Sequence, residues 1–377
     1  MASKRVTVFG GSGFLGRQIV KSLVVEGVSI RVAVRHPERA SFLKRIGRDG
    51  QIELVRANVW EESTVARAVK KSTWIINTIG HYVEKSGATF DAIHGQGAHN
   101  VARQAGNAGV ERLIHISGVG VNPESDSPYA RARGIGEDLV KGAFEGVTVL
   151  RPSVVFGPDD SFFNTLAGLA RQAPILPLFG MGWTKLQPVF VGNVAEACVR
   201  VLADPSTQGK IYELGGPRIY SYKALVKLVL DHVGKRRALV PVPFFVWETL
   251  AALLSVLANP PLTRDQVKLM KSDNVIGEAA LTLEDLGIDP TPPWKRCYPS
   301  ISTVLPSFQQ RRIRFENLIS GQEKKTCVSG RVDSLVGGEV SNSGSRTRSV
   351  AGNYRNAGHL SFQCQFLART GPSKACN

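Results

Sequence analysis

Residues 6–20, VTVFGGSGFLGRQIV, decide the fold. A short apolar, β-branched run ends at Gly10, and glycines recur at Gly13 and Gly16. An apolar pattern (Phe14, Leu15, Ile19, Val20, Leu23, Val24) then continues at helical spacing. The order predicts a strand, a tight turn and a helix. A turn without Cβ atoms lets a pyrophosphate approach, and the first N–H groups of the helix then face the phosphates. Gly10, Ser12, Gly13, Phe14, Leu15 and Gly16 are the positions expected to line it. A lone glycine pattern says little, but the strand before it and the helix after it point to a dinucleotide.

Outward from this turn, strand-like runs near Arg5–Phe9, Ser29–Val34, Ile52–Arg56, Trp74–Asn77, Arg112–Ser117 and Val147–Leu150 alternate with helical patterns. The helical stretches are Phe14–Glu26, Ser63–Lys70, Ala88–Ala108 and Tyr129–Phe144. Strict alternation predicts an α/β protein, a Rossmann-like doubly wound parallel sheet with right-handed crossovers. After Arg151 the alternation loosens among prolines, with helices expected at Phe162–Gln172, Val194–Ala203, Ser221–Val233, Phe245–Ala258 and Thr263–Lys271. We therefore expect a nucleotide-binding domain over 1–151 and a smaller, mostly helical C-terminal part over 152–293. Beyond it, 294–377 is dominated by Gly, Ser, Arg and Asn, a composition that predicts disorder.

The chain has 377 residues, 43% of them hydrophobic, and a net charge of +16. The charge is uneven: residues 294–377 hold 13 Lys+Arg against 4 Asp+Glu, or +9 of the total. The overall charge is therefore not the footprint of a nucleic-acid-binding body, and no nucleic-acid partner is expected. Cys198 is the one cysteine before residue 294, which excludes a disulfide scaffold and fits a reducing compartment. No metal site is expected, and MASKR is too short for a targeting leader. The longest apolar stretch, FFVWETLAALLSVLA (residues 244–258), contains Glu248 and is too short to span a bilayer, so a buried or interfacial helix is expected.

Arg35 ends the second strand in VAVRHPER, where an acid would accept from a ribose 2′-hydroxyl. The planar fork of an arginine suits a 2′-phosphate instead, which favours NADP over NAD. Asn58 and Val59 follow the third strand, placed to flank an adenine, and Thr78, Ile79 and Gly80 follow the fourth. Gly80 would let the backbone approach a cofactor closely. Ser117 ends the fifth strand and Tyr129 opens the next helix in SPYARARGIGEDLV. A carbonyl reductase of this architecture needs a hydroxyl, a proton-transferring Tyr and a cation to lower its pKa. Lys four residues on does this well; here the position is Arg133.

GxxGxxG at 10–16, NxxG at 77–80, the Tyr129–Arg133 pair and LRPSVVFGP at 150–158 resemble an extended or atypical short-chain dehydrogenase/reductase. HISGVGV, SPYARARGIGE, LRPSVVFGPDDSFFN and LTLEDLGIDPTP resemble one branch in particular: the accessory subunit of respiratory complex I and its bacterial relatives. The likeness spans roughly residues 5–292. It implies an NADPH held without turnover as a structural element, other complex I subunits as partners, and a peripheral membrane contact. The implied location is the cytoplasmic side of a bacterial inner membrane, or the matrix side of a mitochondrial one. Tyr129, Arg133 and Pro152 would then lie at the nicotinamide end. The chain departs from an active reductase at Arg133, whose guanidinium stays charged, and at Gly118 and Val119, where a hydroxyl often stands. Two other classes compete: an active NADP-dependent reductase or epimerase using Tyr129 with Ser117, and an NADP(H)-sensing regulator.

The likeness stops at Pro292-Pro293, where that branch continues with a segment like ExxLPxYLxRF. Starting each codon at the third base of the original, Trp294 into Lys295 forces Glu, and Cys297 into Tyr298 forces Leu. Permissible codons then read MEAVLPIYLYRF. We hypothesise that 294–377 is out-of-frame translation, against a genuine basic tail for acidic partners. The coding DNA decides: the shifted frame is expected to stay open and encode that motif, and an early stop in it ends the idea.

Overall fold

Short β-branched and aliphatic runs bounded by glycine or polar turns form the strands, as the pattern predicts. The computed structural model describes residues 4–84, 87–257 and 260–291, all within one compact unit. The disorder and frameshift expected over 294–377 lie outside the described residues. Six strands come first: β1 (Arg5–Phe9), β2 (Ser29–Val34), β3 (Ile52–Arg56), β4 (Trp74–Asn77), β5 (Arg112–Ile116) and β6 (Thr148–Pro152). Shorter ones follow: β7 (Val155–Phe156), β8 (Ile175–Phe179), β9 (Lys185–Leu186), β10 (Val189–Phe190), β11 (Ile211–Leu214), β12 (Tyr220–Ser221) and β13 (Ala238–Val242). The first four helices are α1 (Phe14–Val25), α2 (Glu62–Val69), α3 (Ala98–Asn107) and α4 (Pro128–Ala143). They are followed by α5 (Phe162–Gln172), α6 (Val191–Ala203), α7 (Tyr222–Val233), α8 (Phe244–Leu254) and α9 (Arg264–Leu269).

The main sheet is parallel throughout in the order β3-β2-β1-β4-β5-β6-β11. This is the doubly wound topology, and its strand order reverses between β1 and β4. Ligands of such sheets bind outside the strands' C-terminal ends at that switch point. Both faces are covered. Val6, Val8 and Val32 pack under Ile19 and Leu23 of α1 and Val194 and Val201 of α6. Phe9, Ile75 and Leu113 pack under Val65 of α2, Val101 of α3 and Val140 of α4. Burial on both sides is why these strands read as nearly continuous apolar runs.

The part after Pro152 has its own core of Phe163, Leu166, Leu178, Leu225 and Val229. It is less purely helical than the sequence predicts, because three two-stranded ladders (β7/β10, β9/β12 and β8/β13) accompany its helices. The two-residue strands of β7/β10 and β9/β12 lie below any periodicity signal. The part also returns α6 and β11 to the main sheet, completing it. Helix α8 is not a buried helix: Ala251 is its one buried residue, while Phe245 and Leu253 are each 68% exposed.

Candidate functional site

At the turn after β1, Gly10 has φ +77°, a conformation that L side chains rarely adopt. A Cβ on Gly16 would sit 2.3 Å from the Gly10 carbonyl oxygen and 2.7 Å from Gly11 Cα. Gly16 is therefore demanded by backbone packing of turn against helix. Gly13 differs: a Cβ there meets only Gly10 O, at 3.2 Å, and faces open space otherwise. Gly13 is also the N-cap of α1, so no side chain satisfies the first-turn N–H groups and no acid stands in that turn. The result is an electropositive helix end left free for an anion. Ser12, Phe14 and Leu15 line the same turn half-buried.

Two neighbours were not predicted. A Cβ on Gly11 would lie 2.7 Å from Val32 Cγ1, so this glycine seats the turn on β2; the Gly-Gly doublet was its only sequence signal. Arg17, one turn into α1, has a buried Nε without a partner, and its Nη1 lies 3.6 Å from Asp159 Oδ2.

Arg35 stands at the end of β2, exposed and without an ion-pair or hydrogen-bond partner among the described residues. Glu38, the nearest acid along the loop, is 3.2 Å from His36 Nδ1. Asn58 and Val59 have internal partners instead. The Asn58 side chain donates to Glu61 Oε1 at 2.9 Å, and the Val59 carbonyl accepts from Asn100 Nδ2 at 2.8 Å. Thr78 Oγ1 donates to the Phe9 carbonyl at 2.8 Å, and Ile79 N–H to Asn77 Oδ1 at 3.2 Å, so β4 is locked onto the β1 turn. A Cβ on Gly80 would press on side chains of the site itself, lying 3.1 Å from His94 Cε1 and 3.2 Å from Arg133 Nη1.

Those contacts mark the other end of the crevice. Arg133 lies one turn after Tyr129 on α4; its Nη1 donates to Tyr129 Oη at 3.2 Å and its Nη2 to the Ile116 carbonyl at 2.9 Å. Burial pushes the Tyr129 phenol well above its ordinary value, and the Arg133 charge opposes this without overcoming it. The phenol therefore keeps its proton. His94, carried on the π-helical turn Asp91–Gly97, is driven down to about 2 by burial and by the Arg133 charge. His115 falls to about 4 for the same two reasons, so both imidazoles are neutral. Phe90 and His94 meet Tyr129 edge-on, and Tyr82 stacks on it at 5.0 Å. Ser117 Oγ and Arg133 Nε are buried with no hydrogen-bond partner. Pro152 closes β6 beside them, its carbonyl accepting from Val119 N–H at 3.2 Å.

The residues present fit a nicotinamide dinucleotide. An uncapped helix end with an open Gly13, an unpaired Arg35 and two orphaned buried polar atoms lie at the C-terminal ends of strands β1, β2 and β5. When bound, such a group supplies hydride transfer. Around it the chain offers a phenol held protonated and an arginine of fixed charge.

Sheet, turn and crevice define a nicotinamide-nucleotide-binding protein of the doubly wound class. A family model described as the NAD dependent epimerase/dehydratase family matches residues 6–215, and the chain belongs to that family. Over 290 residues it is 31% identical to the mitochondrial NADH dehydrogenase (ubiquinone) 1 alpha subcomplex subunit 9 of Dictyostelium discoideum, covering 76% of this chain and 81% of that protein. The protein of the same name from Arabidopsis thaliana is 31% identical over 296 residues, covering 75% and 74%. A ceramide reductase of Caulobacter vibrioides is 29% identical over a shorter 198 residues, covering 52% and 60%. Among solved structures, the Citrobacter triphenylmethane reductase complexed with NADP(H) superposes with a TM-score of 0.61 at 18% identity, covering 79% and 100%. That likeness is one of fold.

Proposed function

We propose that this protein is a non-catalytic, NADP(H)-holding accessory subunit of an NADH:ubiquinone oxidoreductase. The observation that carries the reading is the Tyr129–Arg133 pair, a phenol kept protonated beside a cation that cannot titrate. A proton donor works best with its pKa near the operating pH, and burial moves this phenol the other way, with Arg133 opposing it insufficiently. Arg133 and Tyr129 are instead suited to hold a nicotinamide ribose. Arg35, exposed and unpaired, supports NADP over NAD. Its relatives' printed names support the partners, namely other subunits of that complex.

The assigned location is peripheral, on the cytoplasmic face of a bacterial inner membrane or the matrix face of a mitochondrial one. Among the described residues no helix is long and apolar enough to cross a membrane. The membrane contact is assigned to α8, which exposes Phe245, Leu250 and Leu253. Residues 218–271 around it carry 9 Lys+Arg against 3 Asp+Glu, a balance suited to anionic lipid.

The test is purification at native level followed by nucleotide extraction. The expected result is bound NADPH, co-purifying subunits of the oxidoreductase, and no NADPH oxidation when aldehydes or ketones are offered. A free protein that turns NADPH over with a carbonyl substrate would overturn the reading in favour of a reductase. Arg133→Lys is a second test. Lysine replaces the two-nitrogen fork that reaches Tyr129 and Ile116 with one point charge on a shorter stem, so NADPH affinity is expected to fall about 10-fold, the worth of roughly one charge-assisted hydrogen bond. Turnover is expected to stay at background.

A further inference from the structure

Ser127 caps α4, its Oγ accepting from Ala130 N–H at 3.2 Å, two residues before Tyr129. The same hydroxyl donates to Asp265 Oδ1 at 2.7 Å, across 138 positions of sequence. Asp265 is 9% exposed, and its Oδ2 is buried without a hydrogen-bond partner. Burial pushes this carboxyl up, while the Ser127 hydroxyl and the Tyr129 N–H favour its charged form. A carboxylate at the first turn of a helix is electrostatically well placed. Nothing in the nucleotide site as described above uses it.

Asp265 sits on α9, and the chain around α9 touches the nicotinamide end at three further places. Leu269 packs against the cluster of Phe90, Tyr129 and Ala132. Lys268 Nζ donates to the Asp126 carbonyl at 3.1 Å, just before the α4 cap. Asn274 Nδ2 donates to the Val119 carbonyl at 3.1 Å, and its Oδ1 accepts from Ser153 Oγ at 2.6 Å. Helix α9 also packs against α8, the helix that exposes its apolar residues.

We propose that residues 263–277 form a strap coupling the exposed α8–α9 surface to the nicotinamide end, with Asp265 as its positioning residue. The Asp265 carboxylate orients the Ser127 cap and, through it, the α4 turn that bears Tyr129. Ordering of the site by a nucleotide then tightens the strap, and seating of α8–α9 on an anionic lipid surface tightens the nucleotide. Coupling of this kind is reciprocal in free energy. The inference rests on the nucleotide-holding reading and adds its regulation.

Hydrogen exchange on the full chain, with and without NADPH, tests it. In the wild type NADPH is expected to slow exchange across 263–277 at least fivefold. Asp265→Ala is expected to abolish that slowing and raise the Kd for NADPH about tenfold. Ser127→Ala approaches the same bond from the other side and should reproduce it. Asp265→Asn keeps an acceptor at Oδ1 and should restore most of the effect. Thr263→Ala breaks the α9 capping box without touching Ser127, so it should lower stability yet leave the slowing intact. A merely structural strap would make Thr263→Ala and Asp265→Ala behave alike, which overturns the proposal. Wild-type binding without slowing overturns the coupling alone; wild-type failure to bind NADPH overturns the nucleotide reading with it.

Discussion

Gly16→Ala is expected to lose both nucleotide and stability, whereas Gly13→Ala loses the nucleotide alone. The difference lies in what each methyl meets. At Gly16 it would lie 2.3 Å from one backbone atom and 2.7 Å from another, neither the end of a flexible side chain, so the turn must open. Overpacking of this kind costs ~1–3 kcal/mol, offset by up to ~1 kcal/mol from the better helix propensity of Ala. A net loss of about 2 kcal/mol lowers Tm by ~4–8 °C in a domain of this size. The displaced turn also moves the first-turn N–H groups of α1, so NADPH affinity should fall at least 100-fold. Gly13 has φ −72°, which Ala adopts freely, and its methyl meets no atom closer than 3.2 Å. Its Tm should stay within a degree or two of wild type while affinity falls ~10–100-fold. Calorimetric titration and thermal melts on the two variants check this. Wild-type affinity in Gly13→Ala would remove the phosphates from this turn.

Glu137→Ala is expected to be the most destabilising single change outside the apolar cores. Glu137 is 1% exposed at its side chain and accepts from Arg151 Nη2 at 2.7 Å, Arg151 Nε at 3.0 Å and Lys141 Nζ at 2.8 Å. Burial by itself would raise its pKa; the Arg151 and Lys141 hydrogen bonds and charges overcome burial and hold it near 2. Removing one partner of a buried pair costs ~3–5 kcal/mol. The lower end applies, because Arg151 keeps Glu213 at 3.4 Å and Lys141 is partly solvated. The sign of the pH dependence follows from the depressed value. The contribution is full above the ordinary carboxylate range of about 4.5 and is lost as pH falls through that range toward 2. Urea melts at pH 7 should show a loss of about 3 kcal/mol in Glu137→Ala, and between pH 5 and 3 the variant should lose less stability than wild type. Parallel curves for the two proteins over that interval would show that the network does not hold the carboxylate charged.

Much of the first half was legible because its signals are local. Six of the seven sheet strands and the helices that alternate with them announce themselves through period and punctuation, and the glycine turn through spacing. The seventh strand, β11, is not among the runs read as strands, because it lies where the alternation has loosened. Ser117, Tyr129 and Arg133 were proposed by type and order, and the fold brings them together at the end of β5. Asn58 and Val59 were found by position, yet their partners lie inside the protein. Arg17, Gly11 and Asp265 went unseen because each matters through a neighbour distant in sequence.

By itself the sequence determined the doubly wound class, the glycine turn between β1 and α1 and the presence of Arg133 where a titratable lysine would serve a reductase. Periodicity, a missing Cβ and a side-chain pKa are properties of short segments. The tertiary structure decided what those residues do to each other. It decided that burial outweighs Arg133 at the Tyr129 phenol, that Gly80 lies close against His94 and Arg133, and that α8 exposes apolar side chains. It also brought Asp265 to the cap of α4. Desolvation, close contact and exposure depend on which distant segments meet, and no local pattern encodes that meeting.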